Sequence, residues 1–461
     1  MKTYLLFLIL IGGAGCSSRL FPSDQHPAYQ PTRLEVQTPE LVRYESSQPW
    51  WLAWDAPELH QLIETAFRQS PLLAQIEARL TQARAAARRA GANRFPSLEA
   101  GATGSAREHY EPFFSTDQWS AGLIASYEID LWGRIRALQS AAISDTYTAK
   151  ALYASAHMSL SAEVALSWID LIFYRAEEQI IQRQLEANRT SLELMELRFR
   201  NALSSALDVL QQRQTVEATE ALLPINRRET NRAFNRLNTL LGCDQPLDIS
   251  TSSLPKAPLM PTLGLPADLL EHRPDVQMAW HAIEAAGWRF KASRAAQLPA
   301  IRLSGRIESS DTEINRLFDN WFRTFTGNLT MPLFNRGSLR AEAVRAEAFL
   351  DEQLEAYRET VLLAIEEADN ALITESTQVE RLALLTRQYH AAEQAYQEAM
   401  MRYRNGAIEY TPVLLQLNSL QELERQLLRA QANHLRYHIA LYRALGGQWA
   451  LNSPQGDIND A

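Results

Sequence analysis

The chain has 461 residues, a formal net charge of −9 and a hydrophobic content of 46%. The length alone is a prior of about three ordinary domains. Two cysteines exclude a disulfide-stapled scaffold, and the acidic balance excludes the basic footprint of a nucleic-acid binder. A mean hydropathy of −0.27 excludes a bundle of membrane-spanning helices. The continuous apolar stretch at 4–11 is far short of the ~20 residues that one such helix needs.

That stretch belongs to an address. Lys2, the apolar run and then Gly12-Gly13-Ala14-Gly15 read as a secretory signal over 1–15, removed from the mature protein. Cys16 directly after small residues is similar to the bacterial lipoprotein cleavage box, in which the thiol is acylated. Gly13 stands where that box has a large aliphatic residue. Ser17 then favours sorting to the outer membrane, and 16–56 becomes a lipid-anchored extended segment. The alternative is a plain secreted protein. Acylation of Cys16 leaves Cys243 as a free thiol.

The rest is one plan written twice. Pro71 and Pro96 recur as Pro274 and Pro299 at an offset of 203. Arg198-Phe199-Arg200-Asn201 recurs as Arg402-Tyr403-Arg404-Asn405 at 204, as do Val209-Leu210 with Gln212, matching Val413-Leu414 with Gln416. Leu241-Gly242 matches Leu445-Gly446 at the same offset. The repeats are expected over 57–245 and 265–450, with a linker at 246–264 and a tail at 451–461.

Each copy opens with a helix, Pro71–Asn93 in the first, rich in Ala, Arg, Leu and Gln. After Pro96 the period becomes two: Leu98, Ala100 and Ala102 alternate with Glu99, Gly101 and Thr103. The pattern returns from Trp119 to Leu131, from Ile301 to Glu308 and from Thr324 to Met331. Such alternation is the signature of barrel strands, apolar toward lipid and polar toward the lumen, and equally of a soluble sandwich with one wet face. Trp119, Tyr127, Trp132, Trp321, Phe322 and Phe334 are expected near strand ends, as an aromatic girdle.

Long helices decide between the two. Arg134–Leu223 runs 90 residues, and Ser338–Asn405 runs 68, without a Gly or Pro. A helix of ~65 residues is on the order of 100 Å long, beyond any small globular domain. Leu382, Tyr389, Tyr396 and Tyr403 recur every seven residues, as do Leu385, Ala392 and Ala399, which marks a coiled-coil seam. Helix formers give way at 201–205 and 405–410, so each copy ends in an antiparallel helical hairpin, with a kink or break at Pro224. Four strands cannot close, and an open edge cannot survive in lipid. Several chains must therefore share one barrel: two would supply eight strands and three would supply twelve.

With these features the chain resembles the TolC-like outer membrane efflux channels, in their lipoprotein branch. The run Leu265-Pro266-Ala267-Asp268-Leu269-Leu270-Glu271-His272-Arg273-Pro274-Asp275-Val276 is its most family-specific stretch. The resemblance implies a homotrimer: a transmembrane β-barrel of four strands per chain, continuing into a long periplasmic α-helical barrel. It implies a passive, gated exit duct for drugs or metal ions, itself in contact with outer membrane lipid and working with a periplasmic adaptor (membrane fusion) protein and an inner-membrane pump. A type I protein secretion duct and a structural coiled-coil lipoprotein with a soluble strand module are the alternatives.

The resemblance also places the periplasmic gate at the hairpin turns. Counted from Ala202 and Gly406, the family's acid and tyrosine fall on Asp208 and Tyr403. The expected arginine is Ile408, and the two acidic positions beyond it are Pro412 and Leu415. The ring is therefore expected either to use Arg404 or to be apolar, lined by Thr411 and Leu415. The competing reading makes Asp208 a helix cap and Tyr403 a seam residue. Enzyme chemistry finds little support, and no cofactor or metal is expected. His434 and His438 have the spacing of a metal pair, but no Glu follows His434, so a core or surface role is expected.

Overall fold

A computed structural model of the chain describes residues 49–109, 114–243, 249–258 and 273–447. Cys16 and residues 265–272 of the family-specific run lie outside them. Helices α1 (Pro57–Gln69) and α2 (Pro71–Ala92) each begin with proline, whose fixed φ suits a first helical position. Strands β1 (Ser97–His109) and β2 (Phe114–Ile129) follow, then α3 (Arg134–Arg200). The first copy returns through α4 (Ala206–Glu220) and α5 (Leu222–Leu241). The second copy contains α6 (Pro274–Ala295), β3 (Ala300–Asp311), β4 (Trp321–Thr330), α7 (Ser338–Arg404) and α8 (Tyr410–Ala444).

The strands form one antiparallel sheet in the order β1-β2-β3-β4, and the copies join where β2 pairs with β3. Both outer edges, on β1 and β4, lack a strand partner among the described residues. All ten residues of β4 are exposed, including Phe325 at 86% and Leu329 at 71%. Apolar side chains left this bare belong against lipid or another chain. No described helix is long and apolar enough to cross a membrane. Trp119 departs from the expected girdle position: it lies inside β2, opposite Asp311 at the end of β3, with its ring over Gly104.

At the foot of the sheet Asp130 caps α3, accepting from the backbone N–H groups of Ile135 and Arg136 at 2.9 Å each. Helices α3 and α7 have 67 residues each, so both are about 100 Å long. The main core lies partway along them. There Trp50, Trp54, Leu59 and Ile63 pack against Leu160, Trp168, Leu237 and Ile439. Trp168 donates to Glu58 at 2.9 Å, and Glu58 accepts from the Ser250 N–H at 2.8 Å, which pins the segment after the first copy.

The seven heptad residues of α7 are all buried or half-buried, as a seam requires. The break expected at Pro224 falls three residues earlier, at Ala221, between α4 and α5. A proline crowds the carbonyl four residues before it and offers it no N–H. For Pro224 that carbonyl belongs to Glu220, the last residue of α4.

Candidate gate at the hairpin tips

Both arms end in the same turn. Leu203 N–H returns to the Arg198 carbonyl (2.8 Å) and Ala202 N–H to Phe199 (2.9 Å). In the second copy Ala407 returns to Arg402 (2.9 Å) and Gly406 to Tyr403 (3.0 Å). This pair of bonds is a Schellman closure and needs a left-handed residue at its centre. Gly406 supplies it at φ +73°, whereas Ala202 is held there at φ +56° against its Cβ.

Behind the turns a compact apolar cluster ties the two hairpins of one chain together. Met195 of α3, Val209 of α4, Ala399 of α7 and Tyr410, Val413 and Leu414 of α8 are buried. Tyr403 and Ile408 pack against them. Tyr403 lies beneath Arg198, its ring centroid 5.0 Å from the guanidinium, and edges onto Tyr410 at 5.4 Å. Its hydroxyl points at the Met195 sulfur, 3.7 Å away. Burial pushes the Tyr403 phenol up; Arg198 opposes that shift and the Asp208 carboxylate adds to it. Burial pushes the Tyr410 phenol up further.

The expected gate residues divide between these surroundings. Asp208 accepts from the Ser205 N–H at 2.9 Å while the Ser205 hydroxyl accepts from the Asp208 N–H at 3.1 Å, a reciprocal capping box that starts α4. Asp208 therefore spends its carboxylate on the helix end and reaches Tyr403 through its field alone. Arg404 is exposed at the end of α7. Thr411 donates weakly to Gln211 at 3.4 Å. Leu415, 62% exposed, borders a groove of about 530 Å3 between α4 and α8. Ile408, at the position of the family's arginine, is packed into the apolar cluster.

Sequence reasoning passed over three residues here: Arg198 over Tyr403, Gln212, which accepts from the Tyr410 hydroxyl at 2.7 Å, and Asn188, whose carbonyl accepts from Gln212 at 2.8 Å. Arg198 and Gln212 both sat among the identities that revealed the repeat. Asn188, fully buried, carried no signal of its own. Farther along the shaft His434 and His438 of α8 both bond to Glu375 of α7, at 3.1 and 3.0 Å. The acid that the linear sequence did not place beside them comes from the neighbouring helix. Burial alone would raise the Glu375 carboxyl, but the two imidazoles outweigh it and hold it low. The Glu375 bond holds the His434 imidazole high.

The sequence model of the family described as outer membrane efflux protein matches the chain twice, over 62–243 and 265–447. The chain belongs to that family. It is 33% identical over 439 residues to the pyoverdine export outer membrane protein OpmQ of Pseudomonas putida, covering 92% of this chain and 93% of that one. It is 28% identical to the toluene efflux pump outer membrane protein TtgF of Pseudomonas putida, covering 97% and 98%. Among solved structures it is similar to the outer-membrane channel OprN, with a TM-score of 0.87 and 28% identity, covering 92% and 98%. This efflux protein thus has the trimeric fold class in which each chain gives four strands to a β-barrel that continues into a helical barrel. It is an outer membrane component of an efflux system. The family's role is transport through a duct, not catalysis.

Proposed function

We propose that this protein is the passive, gated exit duct of a three-part efflux system. It acts with a periplasmic adaptor and an inner-membrane pump, and is held to the outer membrane additionally through acylated Cys16. Small molecules, the cargo class to which pyoverdine and toluene belong in the names of its relatives, diffuse out once the hairpin tips part. Asp208 and Tyr403 hold the tips closed, while Arg404, Thr411 and Leu415 line the constriction. The observation that carries this reading is the tip cluster, in which both hairpins of one chain converge on Tyr403 and Met195.

Asp208 acts there by fixing the start of α4, and so the position of Val209 in the cluster. Tyr403 acts by bridging Arg198 and Met195 across the hairpins. Ile408 packs into the tip cluster rather than the opening, which leaves Arg404 as the charge beside Thr411 and Leu415 there. Asp208→Ala with Tyr403→Phe is expected to raise resting conductance in planar bilayers. Unchanged conductance in correctly assembled protein removes the gate assignment. Mass spectrometry of the mature N-terminus tests the anchor: an unmodified Cys16 excludes it.

A further inference from the structure

Charge is unevenly placed along this acidic chain. Between Glu77 and Glu99, through the end of α2 and into β1, stand five arginines and no acid. From Ala285 to Ala300, at the end of α6, stand Arg289, Lys291 and Arg294, again with no acid. The two stretches are the same part of the two copies. At the offset of 203 that relates Pro71 to Pro274, Arg88 corresponds to Lys291. Each stretch leads straight into a strand, so both lie at the foot of the sheet.

The strands set the depth of these cations. They have 10 to 16 residues, and about 10 tilted residues cross the hydrocarbon of a bilayer. Arg94 stands at the strand foot beside the exposed Phe95. At the helical rise, Arg88, Arg89 and Lys291 lie about 5–6 Å below the ends of their helices and Arg84 about 12 Å. A headgroup layer is about 5–7 Å thick, and long basic side chains reach up to it along their apolar stems. Lys291 stands over the Trp288 ring at 4.9 Å and Arg294 over Phe290 at 5.9 Å. Rings and cations mixed in this way suit a membrane–water boundary.

Pairing separates these cations from others near the sheet. Arg134 and Arg302 bond to Glu128 at 2.6 and 3.2 Å, Arg306 to Glu308 at 3.1 Å, and Arg289 to Asp145. Arg84, Arg88, Arg89, Arg94, Lys291 and Arg294 are exposed and form no ion pair among the described residues. Arg94 gives one N–H to Gln139 at 3.2 Å. Like charges gathered at one level repel, and three chains repeat the set around the barrel. A counter-charge outside the protein offsets that cost.

We propose that these six side chains form a basic collar that binds anionic phospholipid headgroups in the periplasm-facing leaflet. The collar continues the lipid-facing apolar band of the strands. One lipid therefore meets both, its acyl chains the strands and its phosphate the cations, and arginine forks match phosphate oxygens. The collar fixes how deep the barrel sits and is independent of the gate at the tips.

The intact oligomer in detergent, mixed with equal amounts of dioleoyl phosphatidylglycerol and dioleoyl phosphatidylcholine, is examined by native mass spectrometry. Wild type is expected to retain about tenfold more phosphatidylglycerol, since each nearby cation contributes a factor of about five. In 1 M ammonium acetate, where fields are screened within about 3 Å, that preference should fall severalfold. Arg88→Gln with Lys291→Gln should cut it about fivefold, whereas Arg88→Lys with Lys291→Arg should keep it. Equal retention of both lipids by wild type overturns the collar. So does an undiminished preference in the glutamine variant, the result expected of cations that face the lumen. If the glutamine variant comes apart while the charge-keeping variant stays whole, the cations hold a second copy of the chain, and the collar is again overturned.

Discussion

The first copy returns from its tip through α4 and α5, whereas the second returns through the single α8. The polar bonds differ in the same way. Residues 204 apart in the two copies put Asn188 against Ala392, Thr219 against Leu423, and Pro224 against Leu428. The buried Glu375–His438 contact of the second copy corresponds to Leu171 and Phe234 in the first, both packed in the main core. One hairpin thus carries a buried amide cluster near its tip, and the other a buried acid–imidazole pair along its shaft. Duplication supplied two equal arms, and a few substitutions set their buried polar contacts apart.

The largest effect is expected where the pinned seam is broken from one side. Glu375→Leu leaves two imidazoles facing an apolar neighbour, and loss of one partner of a buried pair costs roughly 3–5 kcal/mol. The oligomer's melting temperature should fall sharply. Installing the first copy's residues together, Glu375→Leu with His434→Thr and His438→Phe, should restore most of it, since an apolar replacement of such a pair is often neutral. If the triple variant melts as low as the single one, the two seams are not equivalent.

The same pin gives the second copy a pH dependence of its own. The His434 pKa is raised above 6.5, so its contribution is present below that value and lost as pH rises through the raised one. The Glu375 pKa is lowered below 4.5, so its contribution is present above 4.5 and lost as pH falls through the lowered one. Thermal stability should be greatest between those limits, and the triple variant should flatten the profile when melting is followed across pH.

A smaller loss, about 3 kcal/mol, is expected from Leu428→Pro, which writes the first copy's break into α8. Pro224→Ala should not destabilise the oligomer, and thermal melting of both variants measures the contrast. The smallest effects belong to the turns. Ala202→Gly should stabilise by about 1 kcal/mol and Gly406→Ala should destabilise by a similar amount, since left-handed backbone costs an L-residue roughly that much. No gain from Ala202→Gly, alongside a loss from Gly406→Ala, would show that Ala202 is unstrained.

Much of this was legible in the linear chain. Runs free of Gly and Pro mark the start of α3 and both ends of α7 to within a residue, because helix propensity and a sustained seam are local properties. The strands show in their period of two, and the constant offset of 204 aligns Ala202 with Gly406 before any turn is seen. The shift of the Pro224 break to Ala221 follows from proline acting on the carbonyl four residues behind it. The buried bonds of Asn188 to Thr219 and Gln421 were not legible, since nothing in the neighbours of Asn188 distinguishes a buried amide from a solvated one. Asp208 likewise fits a gate and a cap equally well in sequence, and the structure places its carboxylate on Ser205.

The amino-acid order alone determined the duplication, the lengths of the arms and the need for neighbouring chains, because each follows from periodicity or from counting strands. Which polar groups meet was decided only when α3, α4, α7 and α8 came together. The bonds from Gln212 to Asn188 and from Glu375 to His438 span 24 and 63 residues, and no local pattern encodes a partner at that distance.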